Sequence, residues 1–298
     1  MVFGHGGVRG PATGWRAYVA LTKPRIIELL LVTTVPTMVL AEGGWPGWWL
    51  VALTVAGGAL AAGGANAINM VIDRDIDRLM ARTQHRPLVT GALGPRRAMA
   101  FALALEVAAF AILWAAANLL SAVLAVSATA FYVVVYSLWL KRTSRQNIVI
   151  GGAAGAVPVL VGWAAVTGGL AAAPWVLFAV IFFWTPPHFW ALAIRHADDY
   201  RAAGVPMLPT VVPLRRTVRS MVAYTVVVVA LTLWLPFVAD GLGWIYGVTA
   251  VSFGAAFLAA TASIARRPTP ERAMSVFSFS ITYVTALFAA LMVDAMVG

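Results

Sequence analysis

The sequence predicts an all-α polytopic membrane protein, with nine transmembrane helices around a central cavity that opens near the cytoplasmic side. Three observations predict it. Of 298 residues, 61% are hydrophobic and only 11% charged, whereas a soluble globular chain carries about a quarter charged residues. Nine mostly apolar stretches approach the ~20 residues that a helix needs to cross a ~30 Å hydrocarbon core. Regular apolar–polar alternation over short segments is missing, which argues against a barrel. An ordinary soluble enzyme, a disordered regulator and a fibrous protein are excluded by the same composition.

The stretches lie at 25–41, 48–72, 97–117, 119–140, 148–167, 173–194, 218–239, 243–264 and 273–296. The first stops at Glu42-Gly43-Gly44, and the second runs into the acidic segment that begins at Asp73. Little more than Asn118 and Ser121 separates the third from the fourth, which stops at Lys141-Arg142. Gly168-Gly169, the basic segment from Arg195, Asp240-Gly241 and Arg266-Arg267 close the next four. Counting cations gives the orientation. The N-terminal segment 1–22 and the connections near 73–97, 141–147, 195–217 and 265–272 lie on one side and, with the residues directly flanking them, hold all 21 Lys and Arg. The other side holds only Glu42, Asp240 and Asp294. Because Lys and Arg collect on the cytoplasmic face, the N-terminus is expected in the cytoplasm and the C-terminus opposite.

The same rule accounts for the net charge of +10 without a nucleic-acid partner. With no cysteine, disulfides, thiolate metal sites and c-type haem attachment are excluded. Neither a cleavable signal peptide nor a transit sequence is expected at the N-terminus. A single transmembrane domain over 1–298 is expected, with 73–97 and 195–217 as its two long loops. These follow the second and sixth spans, which hints at two related four-helix halves plus a ninth helix.

The second span ends in Asn66-Ala-Ile-Asn69-Met-Val-Ile-Asp73-Arg-Asp75-Ile-Asp77. Steps of three and four residues return to one helix face, so Asn66, Asn69, Asp73 and Asp77 form a polar stripe from which Asp75 points away. Carboxylates four apart repel and sit at the unfavourable end of the helix dipole; a bound hard cation removes both penalties. Mg²⁺ suits one or two carboxylates with water and phosphate oxygens. The bland alternative is a solvated helix end neutralised by Arg74, Arg78 and Arg82, but asparagines deep within a span favour a site. Gly57, Gly58, Gly63 and Gly64 read as helix-packing residues.

The sixth span ends in Arg195-His196-Ala-Asp198-Asp199-Tyr200-Arg201, a second acidic rim on the same face. Two metal-holding walls with Arg82, Arg86, Lys141, Arg142, Arg145 and Arg201 nearby suit a diphosphate, which Arg binds bidentately and Lys as a point charge. The chemistry that follows is ionisation of an allylic diphosphate, with the leaving charge stabilised and the carbocation shielded from water.

These residues resemble the UbiA-type superfamily of intramembrane prenyltransferases, whose first signature, Asn-x3-Asp-x3-Asp, is met by Asn69, Asp73 and Asp77. The closer resemblance is to one branch, the protoheme IX farnesyltransferases. It rests on Leu21-Thr-Lys23-Pro-Arg25, Asp73-Arg-Asp-Ile-Asp77 with Arg82-Thr-x2-Arg86-Pro-Leu, and Leu140-Lys141-Arg-Thr with Gln146-Asn147-Ile-Val-Ile-Gly-Gly. It continues in Trp184-Thr-Pro-Pro-His188-Phe-Trp and Asp198-Asp-Tyr-Arg201-x2-Gly-Val-Pro-Met-Leu-Pro209. The resemblance implies farnesyl transfer from farnesyl diphosphate to a vinyl group of haem b, giving haem O, with Mg²⁺ as cofactor. It also implies a bacterial inner-membrane location and hand-over of product to a haem A synthase or a terminal oxidase. Carried over to these positions, the resemblance implies that Asp73, Asp77 and Asp199 are catalytic and that Asn69, Asp73, Asp77, Asp198 and Asp199 hold metal. By the same expectation Asn66, Arg82, Arg86, Lys141, Arg145 and Arg201 bind diphosphate. Where quinone-type members carry Asp-x3-Asp at the second rim, this chain has Arg195 four residues before Asp199, so either Asp198 or Asp199 is the ligand.

His188, which follows Pro186-Pro187 inside the sixth span, is either a hydrogen-bonded structural residue or an axial haem ligand. Glu106 lies midway along the third span and is either functional or a protonated, bonded acid. Several of the 12 Trp, including Trp45, Trp48, Trp49 and Trp244, are expected in the outer interfacial belt. Three other activities share parts of this pattern. A prenyltransferase of quinone or chlorin precursors differs in the acceptor consumed, and a transporter would leave farnesyl diphosphate intact. A haem-binding assembly factor would tolerate loss of Asp73 and Asp77.

Overall fold

The computed structural model describes residues 14–266 and 269–298, apart from the side chains of residues 25–31. His5, Arg9 and Arg267, and the side chains of Arg25 and Glu28, therefore lie outside the described residues. All regular structure among the described residues is helical. In chain order the helices are α1 (Trp15–Thr22), α2 (Pro24–Glu42), α3 (Trp48–Ile72), α4 (Arg74–Leu79), α5 (Pro95–Ala116) and α6 (Leu119–Phe131). The last continues without a break through Tyr132–Leu140 into α7 (Lys141–Thr143). There follow α8 (Asn147–Thr167), α9 (Ala172–Arg195), α10 (Ala197–Ala202), α11 (Leu208–Val211), α12 (Leu214–Trp234), α13 (Trp244–Arg266) and α14 (Pro270–Val297).

Among the described residues, 8 helices are long and apolar enough to cross a membrane, with α6 counted together with its extension. The chain is thus an integral membrane protein. Nine were expected; the segment at the first expected span is α2, a helix of 19 residues that is not among those eight. Boundaries elsewhere follow the sequence closely, and the weak break at Asn118 has a physical basis. Asn118 caps α6, its Oδ1 accepting from Ser121 N–H at 2.9 Å, while its Nδ2 donates to the Ala164 carbonyl of α8 at 2.6 Å.

In lipid, helices gain little by hiding apolar surface from each other, so close backbone approach at small residues carries the packing. Along α3, a Cβ at Gly57 would lie 2.6 Å from Leu113 Cγ, and one at Gly64 would lie 2.5 Å from Glu106 Oε1. Gly63 faces Thr22 of α1, while Gly58 meets no neighbour. α3 thereby lies against α5. α6 packs on α5 and α8, α8 on α2 and α9, and α12 and α13 carry the chain outward to α14. α14 returns against α9 and α2. The core of this half includes Trp184, Trp190, Tyr246, Phe257 and Tyr283. Trp48, Trp49 and Trp244 are exposed at the starts of α3 and α13, the end remote from Asp73, as expected of interfacial belt residues.

The two long loops have the same local plan. α3 gives way at Asp73 to the six-residue α4, and α9 gives way at His196 to the six-residue α10. At the opposite end, Asp294 of α14 crosses to the start of α13, where its Oδ2 accepts from Gly243 N–H at 2.8 Å and Tyr246 N–H at 2.7 Å. A carboxylate there satisfies unpaired amides and complements the helix dipole. Asp294→Ala should lower unfolding stability in detergent by about 1–3 kcal/mol, read as a denaturation midpoint. Activity of the folded fraction should stay unchanged.

Candidate active site

The helix phase carries across the break between α3 and α4. Asp73 N–H donates to the Asn69 carbonyl at 2.9 Å and Asp77 N–H to the Asp73 carbonyl at 2.8 Å. Asn69, Asp73 and Asp77 therefore keep one face, and all three are buried, Asp73 completely. A carboxylate removed from water must be paired. Lys141 Nζ bonds Asp73 Oδ2, Asn69 Nδ2 donates to the same oxygen at 2.7 Å, and Arg86 donates to Asp77 Oδ2 at 2.5 Å.

Local backbone chemistry delivers each partner. Over Tyr132–Leu140 the helix is wound in the wider π form, in which backbone bonds close five residues apart and which favours functional positions. Ser137 Oγ there donates to the Tyr132 carbonyl at 3.0 Å and accepts from Asn69 Nδ2 at 3.0 Å. Lys141 follows at the end of this segment. Arg86 arrives from the loop after α4, whose turn is tied down by Thr83 Oγ1 donating to the Asp77 carbonyl at 2.8 Å. Asn66 does not reach the acids: its Nδ2 donates to the Thr22 carbonyl at 3.2 Å, next to the turn that joins α1 to α2.

That turn supplies a residue the sequence reading left out of the site. Lys23 is the one non-glycine residue with positive φ among the described residues (φ 51°), and its Nζ donates to Asn69 Oδ1 at 3.2 Å. Burial, then the charges of Arg86 and Lys141, push the Lys23 amine down to about 7. Its only sequence signal is the Leu-Thr-Lys-Pro-Arg block, since the left-handed turn that aims it has no signature in a lysine.

The second wall meets the first through α10. Asp199 Oδ1 accepts from the Ala81 N–H at 3.2 Å, and Arg82 lies 4.0 Å from Asp199 Oδ2. Arg82 also donates to the Tyr200 hydroxyl at 3.2 Å and lies over its ring. Asp198 projects the other way, almost wholly exposed, and pairs with Arg201 at 2.7 Å. Arg145 is exposed. The structure thus brings together Asn69, Asp73, Asp77, Lys141 and Arg86, with Arg82 and Asp199 on the facing rim. It leaves Asp198, Arg201 and Arg145 outside.

Among the described residues no three acids or histidines converge on one point; Asp73 and Asp77 are each engaged by a cation. The donor chemistry nevertheless fits a hard divalent ion, because the cluster offers only oxygens and Asp73 Oδ1 is buried without a hydrogen-bond donor.

The profile of the UbiA prenyltransferase family matches residues 30–290. The chain belongs to this family. A protoheme IX farnesyltransferase of Parafrankia sp. is 54% identical over 93% of this chain and 89% of its own. The protein of the same name from Pseudarthrobacter chlorophenolicus is 53% identical over 95% and 90%. Among solved structures, a digeranylgeranylglyceryl phosphate synthase superposes with TM-score 0.79 at 18% identity, over 95% of this chain and 99% of that one. A UbiA homologue from Archaeoglobus fulgidus, bound to DMAPP and Mg²⁺, gives 0.65 at 19%, over 92% and 99%.

Within this UbiA fold, His188 is held on three sides. Its ring stacks between Trp184 and Phe277, at 4.3 and 4.4 Å between centroids, and Nδ1 shares a 2.7 Å hydrogen bond with Ser280 Oγ. Axial ligation would therefore have to use Nε2. Glu106 bonds Thr129 Oγ1 at 3.2 Å against Gly64, between helices and apart from the acid cluster. The two rims make a direct comparison possible: Asp199→Ala should lower prenyl transfer by about 10²-fold or more, as expected for a group stabilising the transition state. Asp198→Ala should stay within about two-fold, as for an exposed ion pair, both read as initial diphosphate release.

Proposed function

We propose that the chain transfers the farnesyl group of farnesyl diphosphate to a vinyl group of protoheme IX, with addition of water, to give haem O and diphosphate. The observation that carries this reading is identity above 50%, over nearly the full length of both chains, to proteins named protoheme IX farnesyltransferase. The buried corner of acids and cations is the chemistry that such a transfer needs.

Lys141, Arg86 and Arg82 bind the diphosphate, with Lys23 beside them on Asn69. Asn66 positions Lys23 by holding the Thr22 carbonyl. Asn69, Asp73, Asp77 and Asp199 would hold Mg²⁺, the ion named with a prenyl diphosphate in the A. fulgidus structure. When bound, it would offset negative charge developing on the leaving group. The C1–O bond of farnesyl diphosphate breaks and its electron pair leaves with diphosphate, where the Lys141 ammonium and the Arg86 and Arg82 guanidiniums stabilise it. The vinyl π pair of haem forms the new carbon–carbon bond to the farnesyl cation. Water adds to the resulting cation and loses a proton. Apolar helix walls delay that water until the carbon–carbon bond exists.

His188 ligates haem iron through Nε2 in this reading, while the Ser280 contact fixes the ring. The chain lies in the bacterial inner membrane with its N-terminus and both acidic rims in the cytoplasm, following the partition of its cations. Its product passes to a haem A synthase or a terminal oxidase.

Membranes supplied with haem b, farnesyl diphosphate and Mg²⁺ should yield a haem heavier by one farnesyl group and one hydroxyl group, resolved by chromatography and mass spectrometry. Unmodified haem, with diphosphate released only when an aromatic acceptor is added, would move the chain to another acceptor class. Asp73→Ala and Asp77→Ala should each abolish turnover in folded protein, and wild-type rates in both would refute the site. Chelation of divalent ions should stop the reaction and their return should restore it. His188→Ala should alter the absorbance of bound haem; an unchanged spectrum removes the axial-ligand role.

A further inference from the structure

Asp75 turns away from the acid face, and the reaction as derived gives it no part. It is nevertheless bound more elaborately than an exposed acid on a loop. Arg142 Nη1 donates to Asp75 Oδ2 at 2.7 Å and Nη2 to Oδ1 at 2.8 Å, a two-pronged pairing. Nη2 also donates to the Ile72 carbonyl at 3.1 Å and lies 3.9 Å from Asp73 Oδ1. Ile72 is the last residue of α3, and the final carbonyls of a helix lack intrahelical partners. The guanidinium thus caps the backbone break directly before the buried acid.

The neighbouring residue matters equally. Arg142 follows Lys141 in α7, so the fork that grips Asp75 also fixes the backbone from which Lys141 reaches Asp73. Both sides of the Lys141–Asp73 pair, the α3–α4 corner and α7, are therefore tied together by one planar fork, and forks of this kind hold direction as well as charge. Asp75 and Arg142 border a cavity of about 210 Å³ shared with Leu79, Gly204 and Val205. This is the face turned away from the buried acids. Exposed ion pairs add little to the stability of a fold, so the value of this one lies in geometry.

We propose that Asp75 and Arg142 are positioning residues, a latch that sets Asp73 and Lys141 for the diphosphate. The proposal rests on the active-site reading above, and its test reads diphosphate binding apart from haem chemistry. Charge and geometry predict opposite signs. Asp75→Asn removes a negative charge beside an anion site and so, by Coulomb's law alone, should tighten anion binding. If the latch positions the site, the same change weakens it.

The experiment is titration of full-length protein in detergent with inorganic diphosphate and Mg²⁺, followed by steady-state farnesylation of haem b. For Asp75→Asn the expected result is diphosphate binding weaker by about five- to ten-fold. Turnover should fall about 10- to 100-fold, the scale of a small misplacement, with KM for haem within two-fold and an unchanged melting temperature. Asp75→Glu, which keeps the fork's partner, should recover most of both. Added to Arg142→Gln, Asp75→Asn should cost nothing further, because coupled residues are non-additive. Diphosphate bound by Asp75→Asn as tightly as by wild type, or tighter, would overturn the latch, and so would multiplicative losses in the double variant. Wild-type protein that binds diphosphate but leaves haem unmodified would refute the acceptor while this titration still decides the latch.

Discussion

Burying the Asp73 carboxylate completely at the end of a membrane-spanning bundle costs several kcal/mol unless opposite charge and hydrogen bonds repay it. Much of the architecture near the loops follows from that constraint. Lys141 must arrive from the fourth span, and Asn69 must sit one turn earlier on α3. Ser137 must hold Asn69 in turn, and Lys23 must close the far side of Asn69 from a left-handed turn. Three segments distant in sequence converge because one side chain cannot be left alone. The α3–α4 break, the π-wound stretch before Lys141 and the strained junction at Lys23 are the backbone adjustments that make the convergence possible.

The second wall is built on the same plan with a different balance. α9 and α10 repeat the long-helix, break, short-helix sequence of α3 and α4, but the acid they deliver is only partly buried and its partner Arg82 stands 4.0 Å away. Two walls of unequal depth suit a ligand with one deeply held end. In the proposed reaction the phosphate oxygens would meet the paired cations of the deeper wall, with Asp199 and Arg82 on the shallower one. Joining the walls falls to Arg82, which touches Asp199 and Tyr200 from the loop after α4.

How much of this was legible depends on whether the signal is local. The spans were legible because hydropathy and length are properties of contiguous residues, and the break at Asn118 because a cap acts within three residues. The face shared by Asn69, Asp73 and Asp77 survived the helix break because the i to i+4 bonds run through it. Beyond a helix end, phase is lost. After the break at His196 the sequence could not say which of Asp198 and Asp199 faces inward, and only the restart of α10 decides for Asp199. Asn66 belongs to the predicted stripe, yet its amide is taken by the Thr22 carbonyl, a partner 44 residues away. Lys23 was hidden for the complementary reason: its reach comes from a backbone conformation that lysine seldom adopts. The nine-span expectation met eight helices among the described residues, with α2 at the remaining position.

Stability and chemistry compete at this corner. In the proposed reaction, the cations that make burial of Asp73 and Asp77 tolerable are the ones that would receive the diphosphate, so ligand binding would redistribute them rather than recruit new ones. A better-packed apolar corner would be more stable, since replacing a buried ion pair by hydrophobic residues is often neutral or favourable. Such a corner would have nothing to offer a leaving diphosphate. Asp73 Oδ1, which accepts no hydrogen bond and has only the Arg142 guanidinium 3.9 Å away, is the clearest sign of the compromise. Its cost is tolerable only while Lys141, Asn69 and the corner beneath them stay fixed, which is why the supporting contacts extend outward to Ser137, Thr83 and Arg142. Rigidity in that outer shell is what lets a destabilising inner shell persist in a folded protein.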